Sequence, residues 1–247
     1  MMMKQIFLSI FFLMVTAVAW GQQAMGIEGM IHVPTAEMDT VGMARVGFQF
    51  VPKDMVPDAM KCDGKKFNSM TNFLSVTPFR WIELGYGYTL WKMHKNKNPK
   101  REIGFYSKDR YFSVKLQLLR EGSWWPSLAV GGNDVFGSRD GGESASNYYR
   151  NYFVAASKHI DCGGHVLGAH VAYRKWKRDF NHKWNGVVGG VTYQPSFYTP
   201  LRAMAEWDGN GVNVGVDCRI YKYFLIQCGL QECQHFTGGL TLCIGLL

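Results

Sequence analysis

Acidic and basic residues interleaved with apolar neighbours carry most of the chemistry legible in this chain. Glu83, Lys115, Gln117, Glu121, Asp134, Arg202, Glu206, Asp208 and Arg219, with Arg45 and Asp217, lie in or beside segments whose alternate positions are apolar. Side chains of a β-strand point alternately to its two faces, so these polar residues share one side. Charges confined in a narrow enclosure cost heavily unless they pair, so a salt-bridged lining that stiffens a wall is one reading. The other is a polar track along which a hydrophilic chain, such as a glycan, passes.

Three further groups invite chemistry. The stretch "WKMHKNKNPKREIGFYSKDR" (91–110) sets Lys92, Lys95, Lys97, Lys100 and Arg101 in a predicted loop. That charge suits phosphate or uronate groups of an acidic glycan, although a solvated loop is the plainer reading. "HIDCGGH" offers His159, Asp161, Cys162 and His165, residue types that bind zinc. Gly163 and Gly164 make it read instead as a tight turn, and no metal site is expected. His170 falls on the polar side of its segment, but no Gly-x-Ser-x-Gly elbow accompanies it, so neither a catalytic residue nor a cofactor is expected.

The elements that must hold these residues are strands. Period-two alternation recurs from Met43 to Leu247 with almost no 3.6-residue period. In "WIELGYGYTLW", Ile82, Leu84, Tyr86, Tyr88 and Leu90 oppose Glu83, Gly85, Gly87 and Thr89; in "GGLTLCIGLL", Leu240, Leu242, Ile244 and Leu246 oppose Thr241, Cys243 and Gly245. One face is bulky and apolar, the other small or polar. A soluble sandwich usually carries Lys, Thr and Ser on its solvent face, whereas an outer-membrane barrel puts apolar residues toward lipid and the polar set inside. The predicted strands are 43–51, 67–77, 81–91, 110–119, 126–135, 149–158, 165–174, 185–194, 200–207, 211–220, 223–231 and 236–246.

Connections 52–66, 92–109 and 136–148 are long, whereas those near 78–80, 120–125, 159–164, 195–199 and 221–222 are short. Long outside and short inside is the pattern of such barrels. Trp81, Trp91, Tyr111, Trp124, Trp125, Tyr149, Trp184, Tyr193, Trp207, Tyr221 and Tyr223 fall near strand ends, as interfacial girdles do.

The opening "MMMKQIFLSIFFLMVTAVAWGQQ" reads as a secretory signal over 1–21, its apolar run being shorter than the roughly 20 residues of a spanning helix. With no cysteine before Cys62, lipid attachment at the new N-terminus is not expected. Export turns the net charge of +8 away from nucleic acid and toward envelope glycolipid or acidic polysaccharide. Six cysteines on an exported chain suggest disulfides, but their predicted positions lie on different strands, faces and ends. No structural pair is expected, Cys228–Cys233 and Cys233–Cys243 being the nearest approaches to one.

"GIEGMIHVPTAEM" (26–38), "TPFRWIELGYGY" (77–88), "DRYFSVKLQLLREGSWWPSLAVGGNDVFG" (109–137) and "AEWDGNGVNVGV" (205–216), in that order, resemble the YjbH family of outer-membrane β-barrel proteins linked to exopolysaccharide production. The resemblance implies outer-membrane location and a part in secreting or assembling polysaccharide, with no catalytic mechanism. Longer members carry further barrel-like sequence and some are lipoproteins.

The expectation is thus an all-β, antiparallel transmembrane barrel of about 12 strands, range 10–14, over 43–247, with short periplasmic turns and longer extracellular loops. Residues 22–42 do not alternate, and Pro34 excludes a central strand, which points to a segment within or under the periplasmic mouth. The expected role is export or assembly of exopolysaccharide or capsule; a docking barrel for surface glycan or partner proteins is the alternative, and a barrel hydrolase a third. Partners would be outer-membrane lipid, acidic polysaccharide and other envelope export proteins.

Overall fold

A computed structural model describes residues 23, 25–135 and 148–246. The predicted signal segment, most of the predicted 136–148 loop and Leu247 lie outside the described residues.

Among the described residues twelve antiparallel strands close on themselves: β1 (Met43–Val51), β2 (Ser69–Phe79), β3 (Ile82–His94), β4 (Ile103–Leu119), β5 (Ser127–Asn133), β6 (Asn151–Cys162), β7 (His165–Trp176), β8 (Gly186–Gln194), β9 (Leu201–Trp207), β10 (Val212–Ile220), β11 (Phe224–Gln231) and β12 (His235–Gly245). Each pairs with its sequence neighbours, and β12 returns to β1 through Met43↔Gly245 to Phe50↔Gly238. Closure leaves no unpaired edge, and in hydrocarbon every strand must have both edges satisfied. The expected all-β, twelve-strand barrel is the observed fold.

Alternation decides which face goes where. Val46, Leu74, Phe112, Val154, Val171, Val187 and Val191 are exposed on the outside, while Arg45, Ser75, Glu83, Ser113, Lys115 and Thr192 are buried within. An outward band this apolar suits acyl chains. No helix among the described residues is long and apolar enough to cross a membrane.

One end, called here the turn end, is joined by 80–81, 120–126, 163–164, 195–200 and 221–223; the opposite, loop end carries 52–68, 95–102, 134–135, 148–150, 177–185, 208–211 and 232–234. Gly163 and Gly164 both have positive φ in a two-residue turn, as their spacing implied. Trp81, Trp124, Trp125, Phe197, Tyr198 and Tyr223 ring the turn end, exposed.

Two expectations are corrected. The basic loop begins later and ends earlier than predicted: β3 runs on to His94 and β4 starts at Ile103, so Lys92 lies on a hairpin that continues past a register shift between Trp91 and Met93. Trp91, Tyr111, Tyr149 and Trp184, read as girdle residues, are instead inside, where with Met25, Met55, Met60 and Trp176 they form a cluster under the loop end. Parity explains Trp91, which follows Glu83 and Thr89 at even spacing and so shares their inward face. The six cysteines are free.

Candidate functional site

The lumen is occupied by the protein's own N-terminal segment. Met25, Ile27, Glu28, Met30, Ile31, Val33, Thr35, Ala36 and Glu37 are all buried. Gly29 and Pro34 bridge as a miniature hairpin, closed by Met30 N–H donating to the Val33 carbonyl at 3.0 Å. Residues 37–41 line the turn-end mouth, where the whole segment was expected. The rest runs deeper, His32 reaching the Trp176 and Trp184 rings under the loop end. Buried backbone groups without strand partners need others, and the wall's polar residues supply them.

At the turn-end side, Glu83 and Lys115 face each other across β3 and β4 and pair at 2.8 Å. Glu83 Oε1 accepts Glu28 N–H at 2.9 Å, and Lys115 Nζ donates to the Glu28 carbonyl at 3.0 Å. Arg45 clamps Glu28 at 2.9 Å and Asp39 at 2.6 Å. Arg202 pairs with Asp217, its cross-strand neighbour, at 2.9 Å and also reaches Glu37 and the Gly29 carbonyl. Gln117 donates to the Ala36 carbonyl at 2.9 Å.

Higher in the lumen, Glu206 accepts N–H groups of Ile31, His32 and Val33 at 3.1, 2.7 and 3.1 Å, together with Asn213 Nδ2 at 2.8 Å. Asp208 contacts His32 Nδ1 at 3.1 Å. Arg174, which sequence reasoning did not single out, donates to the His32 and Asp208 carbonyls.

Six of the candidate lumenal residues, Glu83, Lys115, Gln117, Arg202, Glu206 and Asp208, therefore touch the plug itself. Glu121 reaches it through His159, whose Nδ1 lies 2.7 Å from Glu121 and whose Nε2 lies 2.9 Å from Glu37. Asp134 stands apart at the loop end, beside Arg150. Arg219, half-buried, has Nε and Nη2 without a hydrogen-bond partner among the described residues. His170 holds Ser157 Oγ at 2.9 Å and Thr192 Oγ1 at 3.1 Å, and the Ser157 oxygen also accepts Ala36 N–H at 3.0 Å.

Small inner residues make the space. Ile31 Cδ1 rests against Gly215 and Gly229, where an added Cβ would come within 2.8 and 2.9 Å of it. Plug residues Glu28, His32, Glu37 and Asp39 went unremarked in the sequence, although four titratable groups in a non-alternating, glycine-containing stretch were a signal.

At the turn end a cavity of about 690 Å³ opens, lined by Glu37, Asp39, Arg80, Gln117, Glu121 and His159 among others. Partial burial pushes the Glu121 carboxyl upward, but hydrogen bonds from His159 and Lys158 outweigh that and hold it below the usual carboxylate range. At the opposite end, Lys92 lies over the Phe67 and Phe105 rings, and Lys95 pairs with Glu102 at 3.3 Å and lies over Tyr106. His94 bridges the Arg101 carbonyl and Asp63, which together hold its imidazole above its ordinary value. Lys97, Lys100 and Arg101 are exposed at the hairpin tip.

The family model described as "Exopolysaccharide biosynthesis protein YbjH" matches residues 21–214. A protein of Escherichia coli (strain K12) described as "Uncharacterized lipoprotein YjbH" is 23% identical over 265 residues, covering 90% of this chain and 34% of its own length. The chain thus spans about a third of the curated relative it matches. Among solved structures, an outer membrane phospholipase of Salmonella typhi aligns over 82% of this chain and 89% of that one at 12% identity and a TM-score of 0.36. A "Bacterial polysaccharide outer membrane secretin" aligns over 85% and 100% at 8% identity and a TM-score of 0.34. Neither lends a residue or a role to this chain.

Proposed function

The chain belongs to the YjbH family, and from that membership we propose that it serves the export or assembly of exopolysaccharide as a plugged outer-membrane barrel. On this reading the turn end faces the periplasm and the basic hairpin faces outward. The observation that carries the reading's form is the filled lumen: Glu83, Lys115, Arg202 and Glu206 spend their hydrogen bonds on the plug, where a glycan track would need them free. Passage of a chain through this barrel requires the plug to leave. With the plug seated, the barrel works at its two ends, by docking glycan or partner proteins at the turn-end cavity and at Lys92, Lys95, Lys97, Lys100 and Arg101.

A non-enzymatic reading accompanies this, because the Ser157 hydroxyl beside His170 already accepts the Ala36 N–H. The deciding experiment is deletion in the native host, with surface polysaccharide quantified and the gene restored in trans. Loss and restoration support the role. Unchanged polysaccharide, with the barrel present in the wild-type outer membrane, overturns it.

A further inference from the structure

Glu37 from the plug, His159 from β6 and His170 from β7 bring one ligand atom each to within 4.8 Å of one another. Two imidazoles and one carboxylate are a zinc-type donor set, which leaves a fourth position open. At metal–ligand bonds of about 2.0–2.2 Å, ligand atoms around a tetrahedral ion stand roughly 3.3–3.6 Å apart, so small side-chain shifts close the site.

Other features of the surroundings suit an ion. A ligating imidazole ordinarily donates its second ring N–H to a carboxylate or other acceptor that fixes its tautomer. Glu121 Oε2 sits 2.7 Å from His159 Nδ1, which leaves Nε2 directed at Glu37 Oε1. Ser157 Oγ sits 2.9 Å from His170 Nδ1, and Nε2, which bonds Thr192 Oγ1 at 3.1 Å, would exchange that hydroxyl for the ion. Glu37 keeps its other oxygen on Thr35 and Arg202, so Oε1 is the one presented. Gly168 lies between the rings: an added Cβ would stand 2.8 Å from His170 Nε2 and 3.0 Å from His159 Cδ2. Glu37 and His159 also line the turn-end cavity, which gives solvent a route in.

We propose that Glu37, His159 and His170 bind a divalent transition ion of the zinc class, with its open position toward the cavity, and that the ion pins the plug to the barrel wall. The ion takes the place at His159 Nε2 that faces Glu37, while the contact of Nδ1 with Glu121 is kept.

Co²⁺ titration of the refolded full-length barrel, followed by visible absorption and then by Zn²⁺ displacement, tests the site. Wild type should bind one equivalent with a tetrahedral spectrum. His159→Gln and His170→Gln should lose it, and Glu121→Gln should weaken binding by about 10–100-fold. His94→Asn, which alters the separate Cys62–Asp63–His94 group at the loop end, should leave it unchanged. No tetrahedral spectrum in wild type, a spectrum indifferent to His159→Gln, or one abolished by His94→Asn overturns the proposal. Heat-modifiable migration establishes that each variant is folded, and if His170→Gln does not refold, the half-buried His159→Gln decides. Pinning is read separately: chelation should make plug residues 25–39 more susceptible to protease in wild type and not in His159→Gln, and equal susceptibility with and without Zn²⁺ defeats that part.

Discussion

Glu206 takes three consecutive backbone N–H groups of the plug, at Ile31, His32 and Val33, and it does so at 2% exposure where water cannot replace it. A buried donor left unmade costs about 1–3 kcal/mol, and bonds to a charged acceptor sit at the strong end. Glu206→Ala should therefore lower the barrel's unfolding free energy by about 3 kcal/mol in urea, and Glu206→Gln, which keeps one acceptor oxygen, by clearly less. Equal losses would show that the carboxylate is not what holds the turn. Glu121 gives a pH-dependent counterpart. Its folded-state carboxyl titrates below the unfolded value, so its stabilising contribution is complete above the unfolded value of about 4.3 and fades as pH falls through the lower folded value. Because the group is partly solvated, the contribution is under about 1 kcal/mol. Wild type should exceed Glu121→Gln in stability at pH 6 and the two should converge toward pH 3; a gap that widens with acid would refute the assignment.

The strands were the most legible elements, because one face is apolar and a one-residue slip would invert every side chain. Sequence alternation thus located β1 at 43–51 and placed Glu83, Lys115 and Gln117 on one side before any pairing was known. The start of β4 was not legible. Residues 103–109 alternate poorly, since outside the barrel the hairpin has no lipid or lumen to sort its faces, and Phe105 and Tyr106 are both exposed. The short connection expected at 221–222 is a turn, in which Tyr221 and Lys222 both adopt positive φ without glycine or asparagine. A left-handed non-glycine residue costs roughly 1–2 kcal/mol. Lys222→Gly should stabilise the barrel by about 1 kcal/mol in the same urea assay, and no gain would mean that the cation over the Tyr223 ring offsets the strain. The opposite sign is expected at Gly229, which accommodates Ile31. Gly229→Val should cost about 1–3 kcal/mol by overpacking, and Ile31→Ala in the same chain should recover part of that loss.

For the whole molecule, a closed wall says nothing of whether its lumen conducts, and here the answer lay in the segment with the weakest pattern. Residues 26–38 have no period because they form neither strand nor helix, and their conformation is set by partners remote in sequence: Glu83, Arg202 and Glu206. Long-range pairing of that kind leaves no local trace, so the acids and cations of the wall were visible while their shared partner was not. The same dependence makes the plug removable in principle. The wall's strand ladder is continuous through β1 and β12 without it, and the polar lining vacated by the plug can hydrate. Deletion of 23–39 should therefore yield a barrel that still shows heat-modifiable migration, although less stable, and that passes ions in discrete steps in planar bilayers where the full chain passes few. Glu206→Ala should fall between the two, with brief openings, because it frees the Ile31–Val33 turn while Arg45 and Arg202 still hold Glu28, Glu37 and Asp39. A folded deletion variant with the conductance of the full chain would mean that the plug is not the barrier.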